Sequence, residues 1–170
     1  MRVRRSKDGE GLTLESVSES ELAMLRAVRD AADPASCPEA EKRLFPESVE
    51  GKDDEAFDAA ADWKEFVVPD LRTQFHEALD QFESDLKRAR KKRIGLLARY
   101  QVDIPMSHVE QWFSALNQAR LVLQEKFGLP GENERLSLED MFARGQWRAY
   151  FQSRFYAELQ CWLLELGSWL

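Results

Sequence analysis

Apolar side chains recur along this chain mostly at steps of three and four, the spacing of one face of an α-helix. Leu71, Phe75, Leu79, Phe82 and Leu86 form the longest stripe. It predicts a helix over Pro69–Ala98, with Pro69 suited to the first turn and Gly95 weakening the end. Ser18-x-x-Glu21 reads as a capping box ahead of Leu22, Leu25 and Val28, and Asp33-Pro34 ends that run. A short element is expected around Pro38–Phe45, stopped by Pro46 and followed by a polar loop over 48–54. Ala56, Ala60, Trp63 and Val67 share one face of a helix over Asp54–Val67. Val102–Met106 reads as a connector. Ser107 with Glu110 repeats the capping box before a helix over His108–Phe127, closed by Gly128. The last helical region opens near Ser137 and Asp140. Its core stripe is Trp147, Phe151, Phe155, Leu159 and Trp162, and Gly145 is a place for it to split.

Only the start departs from this periodicity. Val3, Leu12 and Leu14 lie in two short runs on either side of Asp8-Gly9, a strong tight-turn signal because glycine accepts a positive φ. Two strands alone are marginal, so this ribbon must lean on the helices. The fold class expected is therefore mainly α: an irregular bundle of five or six helices with a short N-terminal β-hairpin. One domain over 1–170 is expected, with the ribbon at 1–17 and the bundle at 18–170.

Composition narrows the function classes. The chain has 170 residues, 44% of them hydrophobic and 32% charged, so it can close a core and keep a wet surface. The net charge of −7 argues against a general nucleic-acid binder, whose affinity rests on Lys and Arg at phosphates. No apolar run approaches the ~20 residues of a membrane span. The basic N-terminus has no apolar stretch behind it, so no signal peptide is read there. Cys37 and Cys161 are too few for a disulfide framework, and the expected setting is the cytoplasm.

The charge is unevenly placed. Residues 30–85 carry a net −12 and residues 86–100 a net +7. The basic knot comprises Lys87, Arg88, Arg90, Lys91, Lys92 and Arg93. Read as helix, six cations in seven residues cover every side, so the plainest reading is a solvated helix end that complements the dipole and the acidic block. An acidic protein partner is the next reading and nucleic acid the last. Arg2, Arg4, Arg5 and Lys7 could join the patch if the fold brings them close.

The usual reactive constellations are missing. His76 and Asp80 share a helical face, but no third residue completes a metal spacing, and neither His76 nor His108 is preceded by the glutamate of a di-metal bundle. No Cys-x-x-Cys pair, glycine-rich phosphate loop or nucleophile elbow is present. Cys161, inside the aromatic helix, reads as a small core filler. No cofactor or metal is expected, and no catalytic residue is assigned.

Two features point to binding instead. Eight of the 18 aromatics fall in the last 29 residues. Tyr150, Tyr156 and Trp169 lie off the expected core stripe, where they would be exposed unless another surface covers them. Asn117 and Arg120 stand amid apolar neighbours. A buried arginine is costly unless paired, so Arg120 is expected either to clamp a carboxylate or to anchor a ligand in a cleft.

The string Trp112-Phe-Ser-Ala-Leu-Asn-Gln-Ala-Arg-Leu-Val-Leu123, followed by Lys126-Phe127-Gly128, resembles a bacterial family known only as a domain of unknown function. That family typically shows Trp-Leu-x-x-Leu-Asn-Asp-x-Arg-Leu-x-Leu and a Leu-Gly stop. Phe113 and Gln118 depart from the pattern. Arg43-Leu44-Phe45-Pro46, Ser20–Arg26 and Trp162-Leu163 resemble further stretches of it, whereas the basic knot does not. The resemblance supplies no activity and no catalytic residues. Members are often encoded beside the adaptor that feeds N-degron substrates to the Clp protease, which implies at most a role near regulated proteolysis. The expected function is a non-catalytic protein-interaction module that binds a partner or itself. A small-ligand binder using Arg120 and an accessory nucleic-acid binder using Lys87–Arg93 are the alternatives.

Overall fold

In the computed structural model, which describes residues 1–46, 60–94, 97–130, 138–143 and 145–167, the two N-terminal runs form the expected hairpin. Strands β1 (Arg2–Arg5) and β2 (Gly11–Val17) pair antiparallel, with Arg2 opposite Glu15 and Arg5 opposite Leu12. Gly9 takes φ +77° in the turn, and its N–H donates to the Ser6 carbonyl at 3.1 Å.

The hairpin does not stand alone. A second one, β3 (Arg90–Ile94) and β4 (Leu97–Pro105), joins it to give a four-stranded antiparallel sheet of order β1-β2-β4-β3. Leu12 lies opposite Ile104 and Leu14 opposite Val102. This corrects two expectations. The helix read as Pro69–Ala98 ends at Lys87, and Val102–Met106 is strand rather than connector over most of its length. The physical reason is a change of period. Beyond Leu86 the three-four stripe stops, and Tyr100, Val102 and Ile104 alternate with polar residues, as a strand with one buried face requires.

The helical part follows its caps. Helix α1 (Glu19–Arg26) starts at Ser18, where both bonds of the capping box form. Helix α2 (Val28–Ala31) leads into a 3₁₀ turn over Pro34–Ser36, capped by Asp33, and then into α3 (Pro38–Leu44). A π-helical turn over Trp63–Val67 feeds α4 (Val68–Lys87). The expected helix over Asp54–Val67 lies partly outside the described residues. At the next helix the capping expectation fails. A 3₁₀ turn over Met106–His108 precedes α5 (Val109–Phe127), and no side chain caps it. Gly128, at φ 55°, closes α5 as expected. Gly145, at φ +69°, divides α6 (Leu138–Ala143) from α7 (Trp147–Gly167).

Helix α5 is the hub, packed against α2, α3, α4 and α7. Trp112, Leu116, Ala119 and Leu123 meet Phe82 of α4 and Tyr156, Leu159 and Leu163 of α7 in one apolar cluster. Leu12, Leu14, Val17, Val102 and Ile104 of the sheet complete it, so the sheet is buried on one face and open on the other. Burial of a side chain as large as Leu or Trp contributes ~1.5–3 kcal/mol, which makes this the main stabilising unit. The protein is mainly helical with an N-terminal hairpin.

Candidate functional site

The open face of the sheet is built by strand alternation. Leu12 and Leu14 point inward, so Thr13 and Glu15 lie on the open side. Asp103 stands opposite Thr13, and Gln101 opposite Arg90. The two edge strands have the sequences Arg-Val-Arg-Arg and Arg-Lys-Lys-Arg-Ile, so cations reach this face from both sides. Arg4 and Lys7 come from one edge, and Arg88, Arg90 and Lys92 from the other. They line a groove of about 730 Å³ floored by Thr13, Gln101 and Asp103. The groove is charge-mixed, because Asp8, Glu10 and Glu15 line it as well. Arg4 pairs with Glu15, Arg90 pairs with Asp103, and Lys92 donates to Gln101 Oε1. Thr13 Oγ1 donates to Asp103 Oδ1 at 3.0 Å, so Asp103 joins three strands.

A buried carboxylate fixes the groove's corner. Asp85, in the last turn of α4, has no solvent exposure. Its Oδ2 accepts from Trp112 Nε1 at 2.9 Å and lies 3.0 Å from His108 Nδ1. Gln81 Nε2 donates to Oδ1 at 3.2 Å, and Arg88 Nη2 donates to the same oxygen. Asp85 thus ties the end of α4 to the start of α5 and holds the Arg88 guanidinium at the groove. A buried charge persists only with such a set of donors. Among the described residues no group of three His, Cys, Asp or Glu side chains could hold a metal ion, and no helix is long and apolar enough to cross a membrane.

The basic run is therefore divided. It is not the solvated half of a helix. Lys87 ends α4, and strand alternation sends Arg90 and Lys92 to the groove, with Lys91 and Arg93 directed away from it. Lys91 Nζ lies 5.9 Å from the Tyr100 ring centroid. Asp85 was missed in the sequence, although a carboxylate three residues after Phe82 on an apolar stripe is a readable signal. The strand itself could have been found from the alternation of Tyr100, Val102 and Ile104.

The aromatic expectation needs correction. Tyr156 is fully buried, not exposed, and Tyr150 is half-buried against the core. Among the described residues, the exposed large hydrophobic side chains of this region are Phe142, Phe151 and Leu164. Helix α7 is apolar around much of its girth, so spacing alone did not choose its inner face; the structure places Ala149, Tyr156, Leu159 and Leu163 there. Trp169 lies outside the described residues. Cys161 is exposed and Cys37 buried, the reverse of the core filler expected at Cys161. Arg120 Nη1 donates to Gln160 Oε1 at 2.6 Å, and Gln160 Nε2 donates to the Phe113 carbonyl at 3.2 Å. This clamp joins α5 to α7, and Asn117 is half-buried nearby on α5. His76 is exposed, while Asp80 pairs with Arg29.

Fold and face together define a small mainly helical domain that presents one charged, open sheet surface. The chain belongs to the family described as a domain of unknown function (DUF2017), whose model matches residues 4–166. No curated protein and no solved structure matches the chain.

Proposed function

We propose that the protein is a non-catalytic interaction module whose open sheet face receives an acidic segment of a protein partner. The observation that supports this most is the convergence of Arg4, Lys7, Arg88, Arg90 and Lys92 on one groove from the two opposite edges of the sheet. The arginine–carboxylate pairs there are mostly exposed, and exposed pairs contribute only about 0–1 kcal/mol, so a partner's carboxylates can exchange into them at low cost. Lys7 and Lys92 have no carboxylate partner among the described residues, and each offers a cation for a new pair. A role near regulated proteolysis is part of this reading and draws only on the family resemblance.

The test separates the two sides of one basic run. A labelled twelve-residue Asp/Glu-rich peptide is titrated by fluorescence anisotropy, with single-stranded DNA as the competing polyanion. Arg90→Glu with Lys92→Glu should weaken peptide binding at least tenfold, whereas Lys91→Glu with Arg93→Glu should change it less than threefold. Equal losses from both pairs, or preferred binding of DNA with a steep salt slope, would refute the reading. Phe142 and Phe151, exposed by 56% and 49%, favour self-association as a second reading, and the same samples on a calibrated sizing column report it.

A further inference from the structure

Helices α3 and α4 both rest on α5 and leave a cleft of about 770 Å³ between them. This volume lies within the ~300–1,000 Å³ typical of small-molecule sites. Its apolar walls come from Ala32 and Pro34 on one side, Leu44 and Phe45 at the end of α3, and Phe75 and Leu79 on α4. The Phe45 and Phe75 rings meet at 5.5 Å, and the Arg72 guanidinium lies 4.1 Å over Phe45, so the aromatic wall is held in place before anything binds.

Two further observations give the cleft chemical character. Gln118 of α5 lines it and is only 3% exposed, yet its Nε2 reaches acceptors only at 3.3 Å (Ser114 Oγ) and 3.5 Å (the Phe75 carbonyl). Both distances exceed the ~2.7–3.2 Å of a well-made N–H···O bond. A buried amide so weakly bonded is a donor in wait of a better acceptor. The rim arginines are already neutralised: Arg29 by Asp80 and Glu83, and Arg72 by Glu41. The rim therefore gives no surplus of positive charge to recruit an anion.

We propose that this cleft binds a small uncharged molecule with an aromatic or branched apolar body and one carbonyl oxygen, which accepts from Gln118. The body fills the space between Phe45, Phe75 and Leu79, and the carbonyl replaces the long contacts of the amide. The site is separate from the open sheet face, so either can fail without the other.

The test uses 6-propionyl-2-(dimethylamino)naphthalene, a neutral fluorophore with these features, titrated into the full chain and read by its blue shift. The expected result is saturable one-site binding. Ala35→Trp and His76→Trp each place a large side chain from an exposed position into the cleft and should abolish it. Gln118→Leu should weaken binding about tenfold, as loss of one hydrogen bond implies. The anionic dye 1-anilinonaphthalene-8-sulfonate should bind at least tenfold more weakly than the neutral one. Thermal melts by circular dichroism confirm that each variant is folded, and the two blocking variants back each other up. The proposal is overturned by an unsaturable titration, by unchanged affinity in the folded blocking variants, or by tighter binding of the anion.

Discussion

At the scale of the residue, one phenol joins the last helix to the first. The Tyr156 hydroxyl donates to the Met24 carbonyl at 2.7 Å and accepts from Gln152 Nε2 at 2.7 Å. Burial pushes this phenol up from 10.0 to about 12, against the opposing effect of the Gln152 bond. The folded state thus favours the protonated form. The stability this contributes is complete below pH ~10 and is lost as pH rises towards ~12, because the unfolded chain releases the proton first. Tyr156→Phe should cost about 1–2 kcal/mol at pH 8 in urea denaturation. The gap between wild type and variant should then narrow above pH ~10. A variant as stable as wild type at pH 8 would show that the hydroxyl contributes nothing. Asp85 teaches a complementary lesson: its burial was legible only as a polar interruption of an apolar stripe, and beside the local Gln81 and Arg88 its partners Trp112 and His108 come from a segment more than twenty positions on that no local pattern connects to it.

At the scale of the element, the helices with clear starts and stops were legible. Ser18 and Glu21 form their box, Gly128 takes the left-handed conformation, and the short element expected around Pro38–Phe45 is a helix over Pro38–Leu44. Strand β3 was not, because Arg-Lys-Lys-Arg has no apolar face and gives neither period a foothold. Its strand character is imposed by pairing with β4. The β2–β4 pairing depends in turn on Gly11, where an added Cβ would overlap the Ile104 carbonyl oxygen. Gly11→Ala should destabilise the fold by about 1–3 kcal/mol in thermal or chemical denaturation, the usual cost of overpacking. An unchanged midpoint would show that the two strands part easily at that end.

At the scale of the whole molecule, the class of fold followed from periodicity, since most of the core is α-helical. The sheet's order did not, because Thr13 and Asp103 meet across 90 positions of sequence and no nearby signal encodes such a meeting. The same reach explains why the two basic stretches, about half a chain apart, could be named from the sequence as possible neighbours while only the fold brings Arg4 and Lys7 to Arg88, Arg90 and Lys92. Helix α7 closes the interior by inserting Tyr156, Leu159 and Leu163 beside α5. Removal of residues 146–170 should therefore abolish the cooperative melt followed by circular dichroism. A truncated chain that melts as sharply as the full one would place α7 on the periphery.

The arginines and lysines of β1 and β3 have one more consequence, for the behaviour of many copies together. β1 and β3 are the outer strands of the sheet, and an outer strand is in general a template onto which a neighbour can zip, extending the sheet from molecule to molecule. Rows of like charge on both borders set such neighbours at odds, so colloidal stability should fall when salt screens those borders. The same cations that we propose for a guest should thereby also hinder the protein from becoming its own polymer.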